Sequence, residues 1–279
     1  MIKRDVPIKT IHLFPILDKL LIELLNSLSP EDWNKPTLAK LWTVKDLAAH
    51  LLQGNVRTIS SNYQPPTTTD APVINTYQQL INYINEDNTN WVRAMKGVSP
   101  ELLIHLLETT GGQFADHLAV LDPFVCAKYS VAWAGEEQSE NWFHIAREYT
   151  EKWHHQQQIR EAVNKPGIMH RELFYPFIDT LMRALPHTYR NISADEGTLI
   201  KISISGEADG DWYLNRAQQA WNLTPLVNKP ADCIVNISPD IAWKLFTKGI
   251  TSTTALQNSI LLGNINLGEK VFDMVAVIA

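Results

Sequence analysis

The sequence predicts an all-α helical bundle followed by a small α+β domain, and three observations carry that reading. Up to about residue 185, apolar residues recur at three- and four-residue spacing in four to six segments joined by modest loops, with no convincing strand. After about residue 190 the pattern changes to apolar–polar alternation, the mark of half-buried strands. The chain's 279 residues, 45% hydrophobic and 19% charged, are enough to give each region its own core. The two domains are assigned to residues 1–188 and 189–279.

The first helix spans Pro15 to Leu28. Ile16, Leu17, Leu20, Leu21, Leu24 and Leu25 line one side, and Pro15 sits in the first turn. Ser29-Pro30-Glu31-Asp32-Trp33 then turns the chain. Thr43, with Asp46 three residues on, makes a capping-box start for a second helix whose inward side carries Leu47, His50, Leu51 and Val56. Tyr63 to Pro72 reads as a loop. A third helix runs from about Asn75 to Met95 and stops at Gly97. Ser99 caps a fourth, with Pro100 in its first position, and Gly111-Gly112 is expected to break or kink it before Phe114. Irregular chain from Asp122 to Glu137 leads to Ser139, the expected cap of the longest helix. Leu173 to Leu185 forms a further amphipathic helix, stopped by Pro186. Strands are expected over Thr198–Gly206, Asp211–Arg216 and Ala231–Ile237, with turns at Gly206/Gly210 and Asn228-Lys-Pro230. Ser238 caps a helix ending before Gly249, and Asn266 to Ala279 reads as a last amphipathic helix.

Composition excludes several function classes. A net charge of −6 and a pI near 5.8, with no basic stripe, argue against nucleic-acid and anionic-membrane partners. No apolar run reaches the roughly 18 residues a membrane span needs, and the N-terminus lacks the apolar stretch of a signal peptide. Cys126 and Cys233 lie far apart, neither in a CxxC nor beside a histidine. A disulfide framework and a cysteine nucleophile are therefore not expected, and the cytoplasm is the natural compartment. Phosphate-cradling glycine loops and the G-x-S-x-G elbow are absent, which argues against nucleotide, dinucleotide and serine-hydrolase chemistry.

The stretch with the most chemistry is Asn141 to Val163. It holds no Gly or Pro and reads as one helix. At 1.5 Å per residue such a helix is roughly 35 Å long, enough to cross a small domain. His144, Glu148, Glu151 and His155 fall at intervals of four, three and four, on one face. Glu151 and His155 can hold a single ion from one helix wall, and a second imidazole from elsewhere would complete a three-ligand site with an open position. His50 sits among core-facing residues. It is either a boundary histidine bonded to a backbone carbonyl or one partnered from another segment through a metal or a hydrogen bond.

Trp42-Thr-Val-Lys-Asp-Leu-Ala-Ala-His50-Leu-Leu resembles the Trp-(Thr/Ser)-Val-x-(Asp/Glu)-x-x-x-His-Leu motif of the DinB/YfiT-like superfamily. Glu151-Lys-Trp-His-His155 is similar to the Glu-x-x-x-His pair of the mycothiol-dependent maleylpyruvate isomerase branch, where other DinB-like proteins use His-x-x-x-His. Residues 190–279 resemble the sterol-carrier-like domain that follows the bundle in that family. The resemblance implies a DinB-like four-helix bundle followed by a small α+β sterol-carrier-like domain. It makes His50, Glu151 and His155 the ligands of Zn²⁺ or another divalent metal. It implies a low-molecular-weight thiol cofactor, such as mycothiol, bacillithiol or glutathione, and a small electrophile as the other partner. The implied activity is isomerisation or S-transfer; the alternative is a DinB-like protein that binds a metal or ligand without turnover.

Two imidazoles and a carboxylate suit Zn²⁺ and leave a position for a thiol, which the ion deprotonates near neutral pH. In the isomerases so resembled, that thiolate adds to a conjugated double bond, the adduct rotates, and elimination gives the trans product. Other residues are assigned supporting or substrate-contacting roles. His154 points about 100° from His155 around the helix, either exposed or behind the ligands, with the ligand role in place of His155 as the alternative. Gln158 follows His155 by one turn and is placed to hydrogen-bond in the site. His144 and Glu148 extend the polar stripe, as supports or as a solvated face. Trp42, Trp133, Trp142 and Trp153 read as core. Arg57 and Arg216 are candidates for substrate or thiol carboxylates.

Overall fold

A computed structural model describes residues 4–61, 63, 74–206, 209–225 and 229–277. Its helices and strands in chain order are α1 (Phe14–Asn26), α2 (Val44–Ser60), α3 (Tyr77–Met95), α4 (Pro100–Ala119), α5 (Asn141–Val163), α6 (Arg171–Met182) and α7 (Leu185–Tyr189), then β1 (Leu199–Ile204), β2 (Gly210–Ala217), β3 (Ala220–Thr224), β4 (Cys233–Ile237), α8 (Pro239–Phe246), α9 (Ser252–Gln257), β5 (Ile260–Gly263) and α10 (Ile265–Gly268). The helical region precedes the mixed α+β region, as the patterning predicts. Apart from Tyr63, the loop expected up to Pro72 lies outside the described residues, as do Asn228 and the centre of the Gly206/Gly210 turn.

The chain divides into two compact units. The bundle unit takes Thr10–Asp122 and Glu151–Gly167, and the sheet unit takes Pro123–Thr150 and Ile168–Val277. The bundle core is built from α1, α2, α4 and the later turns of α5: Leu21, Leu24 and Leu25 meet Leu47, Leu51 and Leu52, Leu103 and Leu107, and Ile159 and Val163. Each is at most 7% exposed, and burying such a side chain contributes about 1.5–3 kcal/mol. The periodicity that identified the helices is the spacing of these residues.

The same core carries a polar link. Lys152 Nζ on α5 donates to Asp18 Oδ1 on α1 at 3.0 Å and to Asn55 Oδ1 on α2 at 2.8 Å. Asn55 Nδ2 donates in turn to Thr110 Oγ1 on α4 at 2.9 Å, so four helices share one set of bonds. Gly111-Gly112 does not break α4. Gly111 is there for space, because a Cβ at that position would lie 2.7 Å from Asp18 Oδ2.

In the sheet unit the strand order is β3-β2-β1-β4-β5, with β1 parallel to β4 and the other pairs antiparallel. Leu199, Ile200, Ile202 and Ile204 of β1 are buried while Lys201 and Ser203 are half-buried, the expected alternation. β3 and β5 were not anticipated. β2 and β3 join through Gln218-Gln219, both at positive φ (54° and 62°). This is the geometry of a two-residue hairpin, made without the Asn-Gly pair that normally signals one. Three helix boundaries also differ. Pro186 lies in the first turn of α7, so it starts a short helix after α6 has ended. Ser139 does not cap α5: its hydroxyl accepts from the Val131 N–H at 2.8 Å, and Glu140 precedes the helix. The last expected helix breaks up into α10, capped by Asn264, and a 3₁₀ segment Glu269–Asp273.

Candidate metal centre

The start of α2 is fixed by a reciprocal cap. Thr43 Oγ1 accepts from the Asp46 N–H, and Asp46 Oδ2 accepts from the Thr43 N–H at 3.0 Å. Lys96 Nζ pairs with Asp46 Oδ1 at 2.6 Å. Burial raises the Asp46 pKa, but Lys96 and the Thr43 N–H outweigh it and hold the carboxyl below its ordinary range. Trp91 Nε1 donates to the Ala49 carbonyl at 2.8 Å and ties α3 to this first part of α2. His50 is thus set on an anchored helix, two turns from its cap. On the other wall, Arg160 holds the end of α5 by donating to the carbonyls of Leu20, Lys165 and Pro166.

His50, Glu151 and His155 converge between these walls, each offering one ligand atom, and the three atoms lie within 4.8 Å of one another. They are the group of three metal-ligating side chains found among the described residues. His155 Nε2 is 3.5 Å from Glu151 Oε2. The two imidazoles stand edge to face, with centroids 4.7 Å apart. Trp42 closes the site, its ring 4.8 Å from His50 and 6.3 Å from His155. Burial pushes the His50 imidazole down to about 3; His155 adds to the shift and Glu151 opposes it. The ring is therefore neutral, the state a metal ligand needs.

Each histidine is also held from behind. His50 Nδ1 lies 3.1 Å from Gln53 Oε1, and His155 Nδ1 lies 2.9 Å from Gln158 Oε1. An amide oxygen only accepts, so each Nδ1 carries a proton, and the neutral His50 ring keeps its lone pair on Nε2. This donor set fits a divalent cation. Tetrahedral bonds of about 2.1 Å put neighbouring ligand atoms roughly 3.4 Å apart, close to the Glu151–His155 separation. The outer hydrogen bonds are those that commonly orient metal-binding imidazoles.

The family model described as Mycothiol maleylpyruvate isomerase N-terminal domain matches residues 15–160, more than half of the chain and the whole span from α1 to the site residues of α5. The chain belongs to that family. Among solved structures it is similar to a mutant of the mycothiol-dependent maleylpyruvate isomerase, with 13% identity, 88% of this chain and 92% of that chain covered, and a TM-score of 0.47. The non-mutant enzyme gives 13% identity, 84% and 86% coverage, and a TM-score of 0.45. The sterol carrier protein domain 2 of Helicoverpa armigera is similar over 36% of this chain and 84% of its own, at 19% identity and a TM-score of 0.28. No curated protein matches the chain.

In this member of the mycothiol maleylpyruvate isomerase N-terminal domain family, the remaining site candidates fall in different places. His154 is 5% exposed, with its ring centroid 3.8 Å from that of His155, so it is buried beside that ring and not solvated. Gln158 sets its amide oxygen 2.9 Å from His155 Nδ1. Arg57, on the last turn of α2, pairs with Asp87 of α3. His144 belongs to the sheet unit, where its Nδ1 meets Arg147 at 2.8 Å and Arg147 pairs with Glu148. Arg216 also lies in that unit, its guanidinium 6.0 Å from the Trp221 ring. Burial pushes the Cys233 thiol up to about 11, so it is no nucleophile. Trp42 packs against the bundle core, as expected, and its ring also lines the imidazoles. Gln53 was overlooked, although its signal was present: His50-Leu-Leu-Gln53 and His155-Gln-Gln-Gln158 repeat one His-x-x-Gln spacing, which puts each amide one turn beyond its imidazole.

Proposed function

We propose that this protein is a divalent-metal-dependent enzyme that uses a low-molecular-weight thiol to isomerise, or to transfer sulfur to, a small electrophile. The metal is Zn²⁺ or a similar ion, held by His50, Glu151 and His155. The observation that carries this reading is that His50, Glu151 and His155 each offer a ligand atom within 4.8 Å of the others, while Nδ1 of each histidine is taken up by a glutamine oxygen.

When bound, the ion supplies Lewis acidity that lowers the pKa of a thiol and makes it a nucleophile near neutral pH. The chain's own residues do the rest. Gln53 and Gln158 hold Nδ1 of the two imidazoles, Trp42 shields the rings, and Glu151 adds a carboxylate to the pair. For isomerisation, the thiolate sulfur adds to one carbon of a double bond conjugated to a carbonyl, and the displaced electron pair moves to the carbonyl oxygen. Rotation about the resulting single bond is then free. When the electrons return, the C–S bond breaks and the thiolate leaves unchanged. For S-transfer, the same sulfur instead displaces a leaving group and stays on the substrate. Either course dispenses with a protein nucleophile, in keeping with the buried, high-pKa Cys233.

The test uses zinc-loaded full-length protein with mycothiol, bacillithiol and glutathione in turn. One arm follows transfer to monochlorobimane and the other follows cis–trans isomerisation of a maleyl keto acid. The proposal expects a rate above background with at least one thiol, lost in His50→Ala and His155→Ala. A zinc-loaded protein that gives no rate with any of these thiols on either substrate overturns it.

A further inference from the structure

The two outer glutamines are not equivalent. Gln158 meets His155 within a single helix. Gln53 makes the same local contact on α2 but also reaches α3, where its Nε2 donates to Asp87 Oδ2 at 3.1 Å and to the Asp87 carbonyl at 3.4 Å. A primary amide has a donor end and an acceptor end, and a half-turn exchanges them. Both atoms of Asp87 that meet Gln53 are acceptors, so they hold the amide nitrogen toward α3 and its oxygen toward His50 Nδ1.

The consequence runs to the metal ligand. With the oxygen toward it, Nδ1 of His50 carries the proton and Nε2 keeps its lone pair. With the amide reversed, Nδ1 would face an N–H, the proton would move to Nε2, and His50 would present a donor where a ligand is needed. Gln53 is 2% exposed, so solvent does not take over the role. Arg57 pairs with the Asp87 carboxylate from one turn further along α2.

We infer that Asp87 is a positioning residue of the metal centre: through Gln53 it selects the tautomer of His50 that can bind a metal. It does this from a helix that contributes no ligand. The inference rests on the metal-centre reading proposed above, and its test separates the two.

Full-length protein labelled with ¹⁵N reports the His50 tautomer through its ring-nitrogen shifts, first metal-free and then with zinc. Zinc affinity is measured by competition with a chromogenic chelator for wild type, Asp87→Asn, Asp87→Leu, Gln53→Leu and the Gln53→Leu/Asp87→Leu double variant. Wild type is expected to hold the proton on Nδ1. Asp87→Leu should populate both tautomers and weaken zinc binding about tenfold, the scale at which partners behind a ligand act. Asp87→Asn keeps an acceptor and should retain the wild-type tautomer. In the double variant, Asp87→Leu should cost nothing beyond Gln53→Leu. An unchanged tautomer in Asp87→Leu with affinity within about twofold of wild type overturns the inference, as do additive losses in the double variant. The Asp87 side chain is 39% exposed, so its variants carry the test even where Gln53→Leu does not fold. If wild type binds no zinc the metal-centre reading fails, and the metal-free tautomer still decides the role of Asp87.

Discussion

Gln158 Oε1 lies 2.9 Å from Nδ1 of His155, a histidine only 8% exposed and three residues earlier on the same helix. Replacing Gln158 with Leu keeps the bulk but leaves that buried N–H without its acceptor. The expected result is a loss of about tenfold in zinc affinity. A destabilisation of about 1–3 kcal/mol in the metal-free protein should accompany it. Chelator competition and urea unfolding measure the two effects. Equal zinc affinity in Gln158→Leu would show that this contact does not orient the imidazole.

The two adjacent glycines of α4 should respond in opposite ways to alanine. A Cβ on exposed Gly112 meets nothing within 4 Å. Gly112→Ala should therefore stabilise the protein by about 0.4–1 kcal/mol, the ordinary helix preference. A Cβ on Gly111 would sit 2.7 Å from Asp18 Oδ2, while Asp18 Oδ1 is committed to Lys152. Gly111→Ala should destabilise by about 1 kcal/mol or more as that pair is forced to shift. Denaturant midpoints of the two variants give the signs directly, and a stabilised Gly111→Ala would contradict the packing described.

Stability of the metal-free protein should depend on pH through His50. Its folded pKa is pushed from 6.5 down to about 3. Between those values the unfolded chain binds a proton that the folded chain refuses, so folding stability is full above about pH 6.5 and falls as pH drops toward about 3. His50→Gln removes the titrating group. Wild type should therefore lose more stability than His50→Gln between about pH 7 and about pH 5 in matched urea titrations. Parallel losses in the two proteins would remove His50 as the cause.

Much of this was legible in the sequence, and the reasons are physical. Thr43 and Asp46 announce the start of α2 because a capping box is a local device. The Glu151–His155 pair is visible because a helix fixes the relation of residues four apart. The strands β1, β2 and β4 alternate because one face of each is buried. What was missed depends on partners distant in the chain. Gly111-Gly112 looks like a helix break unless Asp18 is known to lie against it. Gln218-Gln219 forms a hairpin turn at positive φ with residues that rarely do so, because β2 and β3 pair on either side. Asp87 sits 37 residues from His50, and no spacing rule connects them.

The central claim, that His50, Glu151 and His155 form one metal site, is tested most directly by zinc stoichiometry. Wild type, His50→Ala and His155→Ala are dialysed to equilibrium against buffered zinc, and bound metal is counted per chain. The account predicts one ion per chain in wild type and close to none in either variant, with each variant still folded by circular dichroism. A wild type that binds no zinc, or variants that keep the full complement, would contradict it.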